Sequence, residues 1–281
     1  MSDAPWQEWV GRTETLDDRV TASSARALAA TLDHPDPETI TDGQAVPGLW
    51  TWLAFTPKAP MRQIGPDGHP KRGGFLPPID LPRRMWAGSR CTFSGDVRIG
   101  APLRRVSTIE KVTEKSGRSG AMAFVTVRHV VEAEDAAVYE EEQDIVYLPM
   151  PERFSPPPPM AAPECPHATG VAIDPVMLFR FSALTFNGHR IHYDRDYAVN
   201  VEKYPGLVVH GPLQAILLLD YALRLFPTRA PQRFAFRGVR PIFDFDAVTL
   251  KASPRDDGQL DLLTANGERA IGMQATLAWR D

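Results

Sequence analysis

Four consecutive prolines, Pro156–Pro159, stand inside the stretch MPERFSPPPPMAAPECP, Met150 to Pro166. Each proline fixes φ and removes a backbone N–H, so the run holds an extended polyproline form that neither a helix interior nor a central strand accepts. No element can therefore run through this point. The chain divides into residues 1–149, a semi-rigid linker at 150–166, and residues 167–281.

Both halves repeat one order of signals, helix first and strands after. In the second half DPVMLFRFSAL offers Asp174 as an N-cap and Pro175 at the first helical position. A longer helix is expected from Gly211 to about Phe226, where Ile216, Leu219, Leu223 and Phe226 recur at helical spacing as a buried stripe. Asp220 and Arg224, four apart, are placed to pair with each other. Strand-like runs follow: RFAFRGVRPIF, AVTLKAS, LDLLTA and IGMQATLAW. The first half has the helical TASSARALAATLDH, with Thr21 or Ser23 as cap, and then RCTFSGDVRI, PLRRVSTIEKVTEK, AMAFVTVRHVVEA and AVYEEEQDIVYLP. A long helix followed by antiparallel strands that can wrap around it predicts an α+β unit with a curved sheet enclosing the helix. Two such units in tandem would pair their sheets edge to edge or pack side by side.

Composition narrows the function. A formal net charge of -4 supplies no electrostatic reason to expect nucleic acid. The two cysteines, Cys91 and Cys165, form no CxxC pair and no zinc spacing, so a reducing compartment fits best. The N-terminus lacks a basic segment followed by an apolar one, and the most apolar run, Leu213 to Phe226, is interrupted by Asp220 and Arg224. The expectation is a soluble cytoplasmic protein with no membrane contact.

The richest segment is FSALTFNGHRIHYD, Phe181 to Asp194, which crowds Asn187, His189, Arg190, His192, Tyr193 and Asp194 together beside apolar residues. Buried donors and acceptors at that density mark either a surface loop or a wet, working pocket. YPGLVVHGP then leads into the helix that opens at Gly211. With GPDGHPKRGGFLPPIDLPRRMWAG and EEQDIVYLP in the first half, this wording resembles the MaoC-like hydratases and dehydratases of the double hot-dog fold. The resemblance spans nearly the whole chain, and its specific part is the C-terminal motif.

It implies a tandem hot-dog fold with one active site, in the C-terminal unit, and a first unit that lacks a complete catalytic motif and supplies a wall of the acyl or CoA pocket. It places His192 on the catalytic histidine and Gly211 on the glycine whose N–H faces the thioester oxygen. Asn187 falls where the family has its catalytic Asp, His189 on the family's Asn, and Arg190 on its Pro. The amide at 187 cannot take a proton as a carboxylate does. His210 is read as a helix-entry residue.

The implied reaction is reversible hydration of an α,β-unsaturated short acyl-CoA of the dicarboxylic or branched, mesaconyl type. A (3R)-hydroxyacyl-ACP or -CoA dehydratase, a thioesterase and a non-catalytic acyl-CoA binding protein are the other readings. His189, Arg190, Tyr193, Arg237 and Arg240 are candidate substrate contacts, with Lys71, Arg72, Arg83 and Arg84 as further cations on first-half connections. His189 and His192, three apart, find no third ligand at convincing spacing. No metal and no cofactor beyond the coenzyme A of the substrate is expected. A homo-oligomer, a dimer, is the expected assembly.

Overall fold

The computed structural model describes residues 6–117, 120–267 and 269–280. The signal-peptide reading rests partly on residues 1–5, which lie outside them. The first half contains β1 (Thr13–Asp18), α1 (Ala22–Thr31), β2 (Ala45–Val46), β3 (Arg83–Phe93), β4 (Val97–Arg98), β5 (Leu103–Gly117), β6 (Gly120–Ala133) and β7 (Ala136–Leu148). The second contains β8 (His167–Val171), α2 (Pro175–Leu184), α3 (Gly211–Leu225), β9 (Pro231–Gly238), β10 (Val248–Pro254), β11 (Leu260–Ala265) and β12 (Ile271–Trp279). Ten strands form one antiparallel sheet in the order β1-β5-β6-β7-β3-β9-β12-β11-β10-β8. Of the two tandem arrangements expected, the chain adopts the edge-to-edge one. The seam is β3 against β9, with Gly88 opposite Arg237 and Cys91 opposite Phe234. A Cβ at Gly88 would fall on the Phe236 carbonyl oxygen, so the close approach requires glycine there.

Local chemistry sets the helix starts. Thr21 and Ser24 close a capping box on α1, and Asp174 accepts from the Met177 N–H at 2.8 Å to start α2. The third helix departs from the expected stripe. Leu213 through Ala222 are all buried, because β9–β12 pack along the helix while β3 and His34 of the first half close on it as well. Leu213, Ile216, Leu217, Leu218 and Leu219 are all essentially out of water. Each such side chain contributes about 1.5–3 kcal/mol.

In the first half α1 is shorter and packs mainly on α2. The inner faces of β6 and β7 are therefore left partly uncovered, and Val127, His129, Val131, Glu141 and Ile145 line a cavity of about 970 Å³.

Three expectations are corrected. Asp220 does not pair with Arg224 on its own helix. It is only 4% exposed, and its Oδ2 lies 2.8 Å from His34 Nε2, at the end of the first-half helix. The Pro-rich segment is not free of sheet contacts. Ala162 N–H donates to Arg269 O at 2.7 Å, Ile271 N–H donates to Met160 O at 2.9 Å, and Phe154 packs against Tyr204 and Phe243. The short strands β1 and β8, which complete the two outer edges, are absent from the sequence reading. Among the described residues no helix is long and apolar enough to cross a membrane.

Because Asp220 is buried against His34 from the other half, His34→Ala leaves a carboxylate in the core without that contact. The expected loss is about 2 kcal/mol, read as a lower urea midpoint at unchanged m-value.

Candidate active site

The helix α2 ends in an unusual turn. Phe186 takes φ 50°, a left-handed position that glycine normally fills, and Asn187 N–H donates back to Ser182 O at 2.8 Å. The loop then runs through 187–194. Asn187 Oδ1 accepts the His189 N–H at 3.0 Å, so its amide shapes the turn.

His192 is 7% exposed, and its Nδ1 lies 2.7 Å from Val208 O. A carbonyl only accepts, so Nδ1 carries the proton and Nε2 presents a lone pair. The ring stacks on His210 at 3.6 Å between centroids and meets His189 edge-on at 5.4 Å. Burial, then the neighbouring imidazoles, hold its pKa well below the ordinary value.

His210 is fully buried, with Nε2 2.8 Å from Ser182 Oγ and Nδ1 without a hydrogen-bond partner. It is the N-cap of α3, as expected of a helix-entry residue, yet makes no side-chain cap bond. Burial lowers its pKa to about 3. The first-turn N–H groups at Gly211 and the positive end of the helix dipole thus sit beside the His192 ring.

The remaining candidates separate. His189 is buried, with Nε2 3.2 Å from Glu202 Oε1. Arg190 is held by Asp194 at 2.7 Å and by Pro66 O at 3.0 Å, and lies over the Tyr197 ring. Tyr193 borders the cavity and donates to Gly188 O at 2.8 Å. Arg237 and Arg240 are not brought to the cavity. Arg237 alternates with the buried Phe234 and Phe236 and so points out of the sheet, where it donates to Gln274 Oε1 at 2.7 Å. Arg240 donates to Pro157 O.

The cations that do line the cavity are Lys58, Lys71, Arg72, Arg84 and Arg105. Arg83, beside Arg84 on β3, turns instead to Glu202 and Tyr204. At the cavity floor Glu141 accepts from Ser89 at 2.6 Å, Tyr139 at 2.9 Å and Trp52 at 3.0 Å, and burial pushes its pKa up.

Two residues absent from the sequence candidates complete the picture. The first-half loop Ile64–Pro70 docks on the 187–194 loop, with Arg190 N–H donating to Asp67 O at 2.9 Å. Gly68, at φ 90°, lies so close that a Cβ there would overlap the Gly188 carbonyl oxygen. This docking lays His69 against His189, ring centroids 4.2 Å apart, with His69 Nδ1 3.0 Å from Asp67 Oδ2. The one signal for the pair in the sequence is the triplet Asp67-Gly68-His69, an acid and an imidazole two apart at a turn. Among the described residues no group of three His, Cys, Asp or Glu side chains is arranged to hold a metal ion.

Residues 49–244 match the family model described as hydroxyacyl-thioester dehydratase type 2. The mesaconyl-C(4)-CoA hydratase of Chloroflexus aurantiacus is 47% identical over 279 residues, 99% of each chain. The mitochondrial hydroxyacyl-thioester dehydratase type 2 of Schizosaccharomyces pombe is 27% identical over 223 residues, covering 68% of this chain and 72% of that one. Among solved structures, a MaoC-like dehydratase from Phytophthora capsici matches with a TM-score of 0.68 at 11% identity, over 96% of both chains. A Mycobacterium tuberculosis protein described as a double hot-dog matches at 0.63 and 13% identity, also over 96% of both. The α+β tandem hot-dog is thus the fold, and with the family model matched over more than half its length the chain belongs to the hydroxyacyl-thioester dehydratase type 2 family.

Proposed function

We propose that the protein is a hydro-lyase that adds water reversibly across the α,β double bond of a short dicarboxylic or branched acyl-CoA, of the mesaconyl-C4-CoA type. The observation that carries this reading is the juxtaposition of the His192 Nε2 lone pair with the N-terminus of α3 at Gly211. The 47% identity to a mesaconyl-C(4)-CoA hydratase supports the substrate class.

In this reading the Nε2 lone pair of His192 accepts a hydrogen bond from the attacking water and orients it. As the water oxygen bonds the β-carbon, the π pair moves toward the thioester oxygen, and the enolate is stabilised by the first-turn N–H groups of α3. The proton removed from water returns to the α-carbon. Asn187 holds the loop that presents His192 and takes no part in proton transfer. Lys71, Arg72 and Arg84 supply the charge that a free carboxylate or the phosphates of CoA require.

Dehydration of a longer 3-hydroxyacyl thioester is the second reading. It is favoured by the cavity, about 970 Å³ and walled by Val127, Val131, Ile145, Phe75 and Phe179, which is roomier than a short acyl group needs. The exposed side chains of Phe179 and Phe186, which border the cavity, and of Val176 on the same helix as Phe179 support association of two copies.

Purified enzyme is expected to bleach the conjugated-thioester absorbance of mesaconyl-C4-CoA faster than that of crotonyl-CoA or of long trans-2-enoyl-CoA. Preference for the long chain would instead select the dehydratase reading. His192→Ala should lower kcat by about a hundredfold or more while the far-UV circular dichroism is unchanged. Arg84→Met is expected to raise KM for the dicarboxylic substrate by about tenfold or more and to leave crotonyl-CoA little affected, since one charge-assisted hydrogen bond is lost. An equal rise for both would assign Arg84 to the CoA portion instead.

A further inference from the structure

Asn187 leaves the site one proton-transferring group short, and its own Oδ1 is engaged by the His189 N–H. Four imidazoles surround that gap. His210 is sealed against Ser182, and His189 is buried against Glu202. His192 has only a carbonyl at Nδ1 and no carboxylate partner, so nothing close by compensates a positive charge on its ring. Of the four rings, His69 both lines the cavity wall and carries a carboxylate of its own. We propose that His69, oriented by Asp67, is the proton-transferring imidazole of this site, acting beside a water-orienting His192 and delivered to it by the first half of the chain.

The geometry fixes the tautomer. Burial pushes the Asp67 carboxyl up, but the hydrogen bonds from the His69 ring and backbone N–H outweigh it and hold it near 2, so it is ionised and accepts only. His69 Nδ1 must then be the donor across the 3.0 Å contact, which leaves Nε2 as a lone pair. Burial lowers the His69 pKa to about 3, so the resting ring is neutral. A proton arriving at Nε2 would meet the Asp67 carboxylate on the far side of the same ring, the arrangement by which a buried acid steadies an imidazolium. The backbone holds this pair firmly. Gly65 N–H donates to His69 O at 2.7 Å, Gly68 N–H to Gly65 O at 3.0 Å, and Arg190 grips Asp67 O and Pro66 O.

One O–H bond of the water breaks toward His69 Nε2 while its oxygen bonds the β-carbon, and the π electrons become the enolate at the N-terminus of α3. The N–H bond of the His69 imidazolium then breaks as the α-carbon C–H bond forms, restoring the neutral ring. His192 Nε2 accepts the other hydrogen of the water, which stays on the product hydroxyl. His69 is thus a catalytic residue and Asp67 a positioning residue.

This assignment rests on the hydratase reading, and the test separates the two. Full-length wild type, His69→Ala, His69→Gln and Asp67→Asn are assayed on mesaconyl-C4-CoA, crotonyl-CoA and a long trans-2-enoyl-CoA, and their Kd for the saturated analogue methylsuccinyl-CoA is measured. Both His69 variants should lose about a hundredfold or more in kcat at unchanged Kd, with added imidazole restoring part of the turnover of His69→Ala. Asp67→Asn keeps the loop contacts but not the tautomer, so kcat falls at constant KM. If the wild type turns over and the His69 variants stay within about threefold of it, or lose analogue binding in proportion to rate, the assignment is overturned and the parent reading stands. A wild type inert on all three thioesters overturns both.

Discussion

The pairing of β3 with β9 is the contact on which the rest of the molecule depends. It converts two five-stranded sheets into one, with Gly88 allowing the backbones to meet. Once the strands are joined, α1 and α2 must pack on each other and the two halves share a single core cluster. The same joint also aligns a fully wrapped helix with an incompletely covered sheet. Space for a ligand arises from the shortness of α1, and Pro212 in the first turn of α3 borders that space.

The electrostatics of the site follow from burial. Imidazoles packed against one another in a dry layer resist protonation, as the lowered pKa values of His69, His192 and His210 record. A proton taken from water therefore finds its most favourable resting place where a fixed negative charge waits. Carboxylates stand at two of the four rings, Asp67 at His69 and Glu202 at His189, and of these rings only His69 reaches the cavity. On this proposal the first half contributes an imidazole as well as a wall.

The legible parts of this protein were those written locally. Caps at Thr21 and Asp174, the Gly211-Pro212 helix start and the alternating strands are all short-range patterns, and they recovered the order of the main elements. The polar loop 187–194 could be singled out for the same reason, since its residues lie in one short segment. The loss of Arg237 and Arg240 as substrate contacts was also within reach, because the buried Phe234 and Phe236 set a period of two that turns Arg237 outward. Asp220 misled because a partner four residues away is the default on an exposed helix, whereas this helix is enclosed. His69 sits in a Pro- and Gly-rich loop without periodicity. Its place in the site depends on contacts with residues more than a hundred positions later, which no local pattern encodes.

The seam has a consequence for synthesis. β3 ends at Phe93 and β9 starts at Pro231. At roughly 5–20 residues per second on the ribosome, the free edge of β3 stands open for on the order of ten seconds. An open edge invites pairing with other nascent chains, and charged side chains discourage it. β3 carries Arg83, Arg84 and Arg90 along its length. In the finished protein these are absorbed by Glu202, by the cavity and by Glu142 with Asp144. The arginines that later serve the fold and the pocket thus also guard the strand while it waits for its neighbour.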